Sequence, residues 1–174
     1  LGALTDFPFI DAPDERLVRD GYQLLHELGA IADGERITEL GRRLARWPLD
    51  VRLARLVLAG VEWGCLADAL VLAAGLSIQD PRERPLEARA AADEAHARWA
   101  DDRSDFLAYL ALWQDWQEAS RSLTRGQRRT WCREHFVSEP RLREWINLHR
   151  QLREFASEAK FEDAKVVDDE ARYE

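Results

Sequence analysis

The fold is decided by the stretch Leu70-Val71-Leu72-Ala73-Ala74-Gly75-Leu76-Ser77-Ile78-Gln79-Asp80-Pro81-Arg82-Glu83-Arg84-Pro85. Its first half is apolar on nearly all sides, which is typical of a buried helix. Pro81 and Pro85 prevent the helix from continuing, because proline lacks a backbone N–H and disfavours helical geometry in the residue before it. Residues 77–85, called the arginine loop below, carry Arg82 and Arg84. The pattern fits either a binding element on a rigid scaffold or a helix stop with solvated charges.

Helical spacing of apolar residues continues on both sides of this stretch. Before it, two short helices starting near Asp50 and Leu66 are expected to pack as an antiparallel hairpin. After it, the residues from Leu86 to Trp99 are good helix formers and predict one helix. Three further helices are predicted to start at Ser104, Thr124 and Pro140, because Ser and Thr are capping residues and Pro suits a first turn. We interpret Trp113 and Trp116 as core residues rather than as a platform for stacked bases. The second part of the chain is therefore predicted to be a helical bundle.

The N-terminal part has a different pattern. A helix from Asp14 to Leu28 is followed by Gly29, a hairpin turn at Asp33-Gly34 and a short helix capped by Thr38. Helix, hairpin and helix together suggest a small winged-helix unit, so the fold class is mainly α. Arginines in the last helix could face nucleic acid or form its solvated side; they are Arg42, Arg43 and Arg46. The apolar segment Phe7-Pro8-Phe9-Ile10 is expected to lie along a core.

Composition bounds the class of protein. The chain has 174 residues, 46% of them hydrophobic, and no apolar run long enough to span a membrane. It does not begin with methionine and is expected to be a piece of a longer protein. Its two distant cysteines, Cys65 and Cys132, suggest a reducing cytoplasm. Net charge is −8, yet residues 121–153 contain nine arginines and three glutamates, so a nucleic-acid partner is not excluded.

Sequence motifs for catalysis are weak. Asp93-Glu94-Ala95-His96 spells the letters of a helicase motif, but a working motif ends a buried strand and this one follows a helical sequence. The sequence contains no GxxxxGK[ST] phosphate-binding loop. Cys132-x-x-His135 is half of a metal site at best. We therefore expect no catalytic residue, no metal and no cofactor in this chain.

Several stretches together resemble one family. The matching stretches, in chain order, are Asp6-Phe7-Pro8-Phe9-Ile10-Asp11-Ala12-Pro13-Asp14, Leu24-Leu25-His26-Glu27-Leu28-Gly29-Ala30-Ile31, Thr38-Glu39-Leu40-Gly41-Arg42-Arg43-Leu44, Pro48-Leu49-Asp50-Val51-Arg52-Leu53-Ala54-Arg55, residues 76–85, Ser104-Asp105-Phe106-Leu107 and Arg141-Leu142-Arg143-Glu144-Trp145. The chain thus resembles the C-terminal helicase-associated region of DEAH-box RNA helicases of the bacterial HrpA type. The resemblance covers roughly residues 5 to 155.

The resemblance implies a domain map. Residues 1–13 would be a linker from the second motor domain, 14–48 a winged helix, 49–156 a helical ratchet bundle and 157–174 an acidic, loosely ordered tail. It also implies two RecA-like motor domains elsewhere in the parent chain, which bind ATP and magnesium and hydrolyse the nucleotide. The ratchet would close over single-stranded RNA and support translocation, while the winged helix packs on the motor domains.

On this reading the expected RNA contacts lie in the arginine loop and at two nearby helices. They are Gln79, Asp80, Arg82, Arg84, Ser104, Arg141 and Arg143. Each arginine has an alternative role in an ion pair, with Asp80 for Arg82 or Arg84 and with Glu139 for Arg143.

Two other functions stay open at this stage. Residues 1–120 have a net charge of −9, which disfavours RNA, so the chain could be a protein-interaction module that docks to the motor domains or a regulator without binding RNA. A separate winged-helix transcription factor is the third, and it fits a helix–hairpin–helix this short and acidic poorly.

Overall fold

A computed structural model of the chain describes residues 8–33 and 35–158. Within these ranges it has eight α-helices and one small antiparallel sheet. The helices are α1 (Glu15–Glu27), α2 (Glu39–Leu44), α3 (Val51–Trp63), α4 (Leu66–Leu76), α5 (Arg89–His96), α6 (Asp105–Ser122), α7 (Arg125–Glu134) and α8 (Glu139–Glu158). The strands are β1 (Ile31–Ala32) and β2 (Arg36–Ile37). The predicted mainly α fold class is confirmed.

The chain divides into two compact units between Arg55 and Leu56, inside α3. The predicted boundary between residues 48 and 49 stays a prediction. Of the predicted linker at 1–13, the structure describes only residues from Pro8 onward. Of the predicted acidic tail, only Ser157 and Glu158 lie in the described ranges, where they end α8.

The first unit is organised around its hairpin. Asp14 caps α1 as predicted, and Gly29 follows the end of that helix with a φ of +70°, which favours glycine. The Thr38 hydroxyl accepts the N–H of Gly41 at 2.9 Å and donates to the carbonyl of Gly29 at 2.7 Å. Gly41 passes so close to the hairpin that a Cβ atom there would lie 2.0 Å from the Ala30 carbonyl oxygen.

Much apolar surface of this unit is exposed. In α1 no side chain is fully buried, and Leu17 is largely exposed. Ile37 and Ile10 are exposed as well. The expectation that the N-terminal apolar segment lies along a core is wrong for residues 8–10, because all three are exposed. Apolar composition shows that a segment favours burial, but it does not identify the surface that buries it.

Helix α4 is the centre of the second unit, as its composition predicts. Eight of its residues are buried, and it packs against α6 and α8. Helix α8 presents Leu142, Trp145, His149 and Leu152 as one buried face, also as predicted. The core prediction for Trp113 and Trp116 is confirmed, since both are buried. The predicted single helix from Leu86 to Trp99 is wrong in detail: α5 is flanked by one 3₁₀ turn on each side.

Helices α4 and α8 meet at one close contact. The indole N–H of Trp145 donates to the backbone carbonyl of Val71 at 2.9 Å. Gly75, one turn further along α4, lies directly under the indole ring, where an added Cβ would be 2.7 Å from the Cζ2 atom of Trp145. Only glycine leaves room for the ring at this distance.

A buried histidine lies one turn beyond this contact on α8. The imidazole of His149 packs edge-on against Trp113 with ring centroids 4.7 Å apart, and the residue is 7% exposed. Burial, together with the charge of Arg153, lowers the pKa of His149 to about 4. The folded chain therefore holds a neutral imidazole at neutral pH.

We predict that Gly75→Ala destabilises the second unit by about 1–3 kcal/mol, because the new methyl group overlaps Trp145 and forces α4 and α8 apart. Gly126→Ala is the matched control. Gly126 lies on the exposed side of α7 with no other atom near its would-be Cβ, so alanine is expected to stabilise the helix by about 0.5–1 kcal/mol. Urea unfolding followed by tryptophan fluorescence measures both. Equal effects of the two substitutions would contradict the close-contact interpretation.

A second prediction concerns pH. Because the pKa of His149 is lowered on folding, the unfolded chain binds this proton more tightly, and stability falls as pH drops from about 6.5 to about 4. Between pH 7.5 and 5 the loss from this group is about 2 kcal/mol. Urea unfolding of His149→Leu is expected to lack that part of the decline, whereas His26→Leu, on the exposed surface of α1, retains it. An unchanged pH profile in His149→Leu would contradict the assignment.

Candidate functional site

The arginine loop begins where α4 ends. Ser77 closes the helix, with its hydroxyl donating to the carbonyl of Ala73 at 2.7 Å. From there to the 3₁₀ turn at Leu86 the loop has no helical structure, as Pro81 and Pro85 predict. The loop is therefore carried on the most deeply buried helix of the second unit.

Asp80 and Arg82 form a bidentate pair inside this loop. The Arg82 Nη2 donates to Asp80 Oδ2 at 2.8 Å, and the Nε donates to Oδ1 at 3.1 Å. The backbone N–H of Arg82 donates to the same Oδ1 at 2.9 Å. Burial raises the pKa of Asp80, but the hydrogen bonds and charge of Arg82 together lower it by more, so the pKa lies below its ordinary value. The same pair raises the pKa of Arg82, so both groups are charged at neutral pH.

Tyr109 of α6 packs against the Arg82 side chain of this pair. The Arg82 guanidinium lies 4.8 Å from the centroid of the Tyr109 ring, a cation–π distance. Burial, followed by the negative charge of Asp80, raises the pKa of Tyr109, so the phenol stays protonated. The loop is thus held between its own ion pair and a buried aromatic ring.

The link between α7 and α8, together with the first turn of α8, holds the loop on another side. Arg141 donates to the carbonyl of Asp80 at 2.9 Å, and the N–H of Ser138 donates to the carbonyl of Pro81 at 2.8 Å. Arg82 also forms a β-bridge with Val137. These bonds join segments more than fifty residues apart in sequence, and they fix the loop backbone rather than leaving it to solvent.

Phe136 has an unusual role in this attachment. Its φ is +50°, a left-handed conformation that is uncommon for a bulky residue. In this conformation its carbonyl accepts the N–H of Glu83 at 2.8 Å and lies 3.1 Å from Nε2 of His96. One strained residue therefore joins the arginine loop, α5 and the end of α7.

The structure brings together three of the seven predicted RNA contacts: Asp80, Arg82 and Arg141. Arg84 pairs with Asp93 of α5 at 2.5 Å, and Arg143 pairs with Glu139 at 3.3 Å. The side chains of Arg84 and Arg143 are nevertheless 59% and 58% exposed. Gln79 is exposed. Ser104 accepts the N–H of Phe106 at 3.2 Å as the cap of α6, as predicted.

Two of the alternative ion pairs therefore occur in the structure. Arg82 pairs with Asp80 and Arg143 with Glu139, whereas Arg84 pairs with Asp93 instead of Asp80. Whether these residues also contact RNA stays a prediction.

Sequence reasoning missed Tyr109, Phe136 and Ser138 as parts of this site. The sequence contains an indication for Tyr109, because this residue lies on the apolar side of the predicted helix that begins at Ser104, a predicted RNA contact. The other two had none, because backbone bonds across so many residues leave no local pattern.

The helicase-like letters belong to a helix. Asp93, Glu94 and Ala95 lie within α5 and His96 ends it, as the sequence predicts. Asp93 holds Arg84, and His96 faces the Phe136 carbonyl. In this chain Asp93 and His96 thus support the arginine loop.

The cysteine–histidine pair is engaged in other contacts. Burial, with the charge of Glu139, raises the pKa of Cys132 to about 11, which keeps its thiol protonated. His135 stacks on Trp131 at 4.3 Å and contacts Arg98 through Nε2. Within residues 8–33 and 35–158 no group of three or more His, Cys, Asp or Glu side chains could hold a metal ion. No described helix combines the length and apolar composition that crossing a membrane requires.

Comparison with known proteins gives two family matches and several relatives. The helicase associated domain (HA2) winged-helix model matches residues 21–49, and the ratchet-like model of the same domain matches residues 50–109. The chain is 46% identical over 160 residues to the ATP-dependent RNA helicase HrpA homolog of Haemophilus influenzae, covering 88% of this chain and 12% of that protein. It is 44% identical over 163 residues to ATP-dependent RNA helicase HrpA of Escherichia coli, covering 91% and 12%.

A more distant relative is the putative ATP-dependent RNA helicase DHX57 of Mus musculus, 34% identical over 158 residues, covering 91% of this chain and 11% of that protein. The chain thus spans about one eighth of the length of these relatives.

The Asp80–Arg82 pair has a natural control within the chain. Asp101 and Arg103 repeat the same spacing and the same bidentate bonds, but Arg103 is 80% exposed where Arg82 is 24% exposed. We predict that Arg82→Ala lowers the free energy of unfolding by about 2 kcal/mol, since it removes the bidentate side-chain bonds to the half-buried Asp80 carboxylate and the cation–π contact with Tyr109. Arg103→Ala is expected to change it little. Urea unfolding measures both, and equal losses would show that the local motif, rather than its burial, determines the effect.

Proposed function

The chain belongs to the helicase-associated (HA2) family, and from that premise we propose that it is the winged-helix and ratchet part of an ATP-dependent RNA helicase. In this proposal the second unit closes over single-stranded RNA and supports translocation and unwinding by motor domains outside this chain. ATP and magnesium are assigned to those motor domains, and no step runs through a nucleotide bound here. The proposed place of action is the cytoplasm.

The observation that supports a gripping role is the attachment of the arginine loop. Its backbone is bonded to the α7–α8 link at Pro81 and Glu83, and to Arg141 of α8 at Asp80. A loop fixed in this way can press on a passing strand without folding away, which a solvated loop cannot do.

The seven predicted residues divide into two groups in this proposal. Asp80, Arg82 and Arg141 hold the loop in shape, because their polar groups are bonded to one another. The others reach solvent at least in part and meet the strand; they are Gln79, Arg84, Ser104 and Arg143. Arginine suits this role because its guanidinium can bind a phosphate through two hydrogen bonds.

The first unit is proposed to dock on the motor domains. Its α1 has no fully buried side chain, and Ile10, Leu17 and Ile37 are exposed. Exposed apolar side chains in this number favour a protein partner over a phosphate backbone. Arg42, which could have faced nucleic acid, has its guanidinium 3.4 Å from the Glu39 carboxylate.

A second candidate function is a module that docks to the motor domains or a regulator without binding RNA itself. One observation favours it: each of the arginines predicted to contact RNA already faces a carboxylate. Arg84 and Arg143 would have to exchange Asp93 and Glu139 for phosphate oxygens. Such an exchange costs little at exposed ion pairs, which is why the RNA-gripping proposal stands first.

Binding of the complete 174-residue chain to a labelled oligouridine, followed by fluorescence anisotropy at several salt concentrations, tests the proposal. Arg84→Gln with Arg143→Gln is expected to reduce the slope of log K against log salt by about 1.4, since each lost phosphate contact removes about 0.7. Arg125→Gln with Arg133→Gln is the control of equal charge, because both side chains are exposed on α7 and neither is among the predicted RNA contacts. It should leave the slope unchanged.

The opposite result is equally clear. If the chain binds separately produced motor domains tightly, without binding RNA and without any dependence on RNA, the proposal is wrong and the docking function takes its place.

A further inference from the structure

A second arginine-bearing surface lies further along α8, away from the arginine loop. It is an open groove of about 720 Å³ between α6 and α8. We call it the distal groove; its lining includes Gln117, Arg121, His149, Arg150, Arg153 and Glu154. Arg153 is twelve residues after Arg141, so at 1.5 Å per residue the two lie about 18 Å apart along the helix. The groove lining contains none of the seven residues predicted from sequence, although on α8 it begins at Ile146, three residues after Arg143.

The walls of the distal groove carry positive charge from both helices. Arg121 belongs to the last turn of α6, and Arg150 and Arg153 belong to α8. Guanidinium groups on two facing walls can bind one phosphate from both sides. Glu154 and Glu158 line the groove as well, so the three arginines leave it only a small positive excess.

The floor of the groove contains a polar atom without a partner. Nε2 of His149 is buried and accepts or donates no hydrogen bond to any residue in the described part of the chain. A buried polar atom without a partner is costly to the folded unit. The histidine borders the groove beside Arg150 and Arg153, so its ring resonances can report on a ligand bound there, although Nε2 itself is closed to solvent.

The same floor excludes base stacking. Trp113 borders the groove but is only 2% exposed, with its ring packed on Trp145 and His149. A base cannot lie on a ring that is already covered on its faces and edges. Recognition in this groove therefore does not use stacking on Trp113, and its arginines favour contact with phosphate.

We propose that the distal groove binds the phosphate backbone of single-stranded RNA, as a contact additional to the arginine loop. This inference rests on the proposed function, from which it takes RNA rather than another polyanion as the ligand. The arginine excess of residues 121–153 agrees with it, because three of those nine arginines line this groove. A strand held at two points along α8 would keep its register while the motor moves.

The test uses the complete chain and a labelled oligouridine of about ten nucleotides, with anisotropy measured over a range of salt. Arg150→Gln with Arg153→Gln is expected to weaken binding about tenfold at low salt and to reduce the salt slope by about 1.4. Arg125→Gln with Arg133→Gln again removes two exposed charges outside the groove and should leave both quantities unchanged. Tryptophan-monitored urea unfolding of each variant checks that the fold is retained.

A second measurement reports on the groove directly. Nitrogen NMR of the histidine side chains is expected to show a shift of the His149 resonances when oligouridine is added, and none for His26 on α1. Oligocytidine should act equally, because the proposed contacts are to phosphate. Unshifted His149 resonances in the presence of bound RNA would overturn the proposal.

The remaining outcomes separate this inference from the proposed function. If the groove variant behaves like the control while Arg84→Gln with Arg143→Gln weakens binding, the groove proposal is wrong and the proposed function stands. If only the groove variant weakens binding, the loop assignment is wrong and the groove stands. Displacement of the RNA by polyglutamate of equal charge would assign the groove to an acidic protein segment and overturn it as an RNA site.

Discussion

The contact between Trp145 and Gly75 determines where the arginine loop is held. The indole ring can lie on α4 only because Gly75 has no side chain, and its N–H bond to Val71 fixes the position of α8 along α4. Trp145 lies one turn after Arg141, and Gly75 lies two residues before the loop begins. One close contact thus places the Arg141 guanidinium opposite the Asp80 carbonyl. A shift of α8 by one residue would break this bond and the loop attachment with it.

The electrostatics of the second unit follow from this arrangement. Within the loop, Arg82 neutralises Asp80 and Arg141 faces the loop backbone, so Arg84 is the loop arginine whose side chain stays largely exposed. Further along α8, other arginines border a groove open to solvent. In the proposed function, the loop would obstruct a passing strand and the groove would hold its phosphates.

Much of this fold could be predicted from local sequence patterns. Asp14, Thr38 and Ser104 cap the helices they were expected to cap, because a cap depends on bonds within three residues. The apolar faces of α4 and α8 are equally local. The partner of Arg84 could not be predicted, because Asp93 reaches it through the fold while Asp80 was nearer in sequence. The pairing of the loop with the α7–α8 link, and the distal groove, depend in the same way on helices meeting at a distance.

Local sequence patterns predict least where the same motif occurs twice in different surroundings, or where a motif resembles one that works in another fold. Asp80–Arg82 and Asp101–Arg103 make the same bonds at the same spacing, yet only the first is covered by Tyr109 and α8. Sequence specifies the bonds of such a turn, and the surrounding fold decides how much stability they add. The Asp93–His96 letters show the same principle in function. On a buried strand beside a phosphate loop such acids can hold magnesium, but on α5 they meet Arg84 and a carbonyl, so their chemistry becomes structural support.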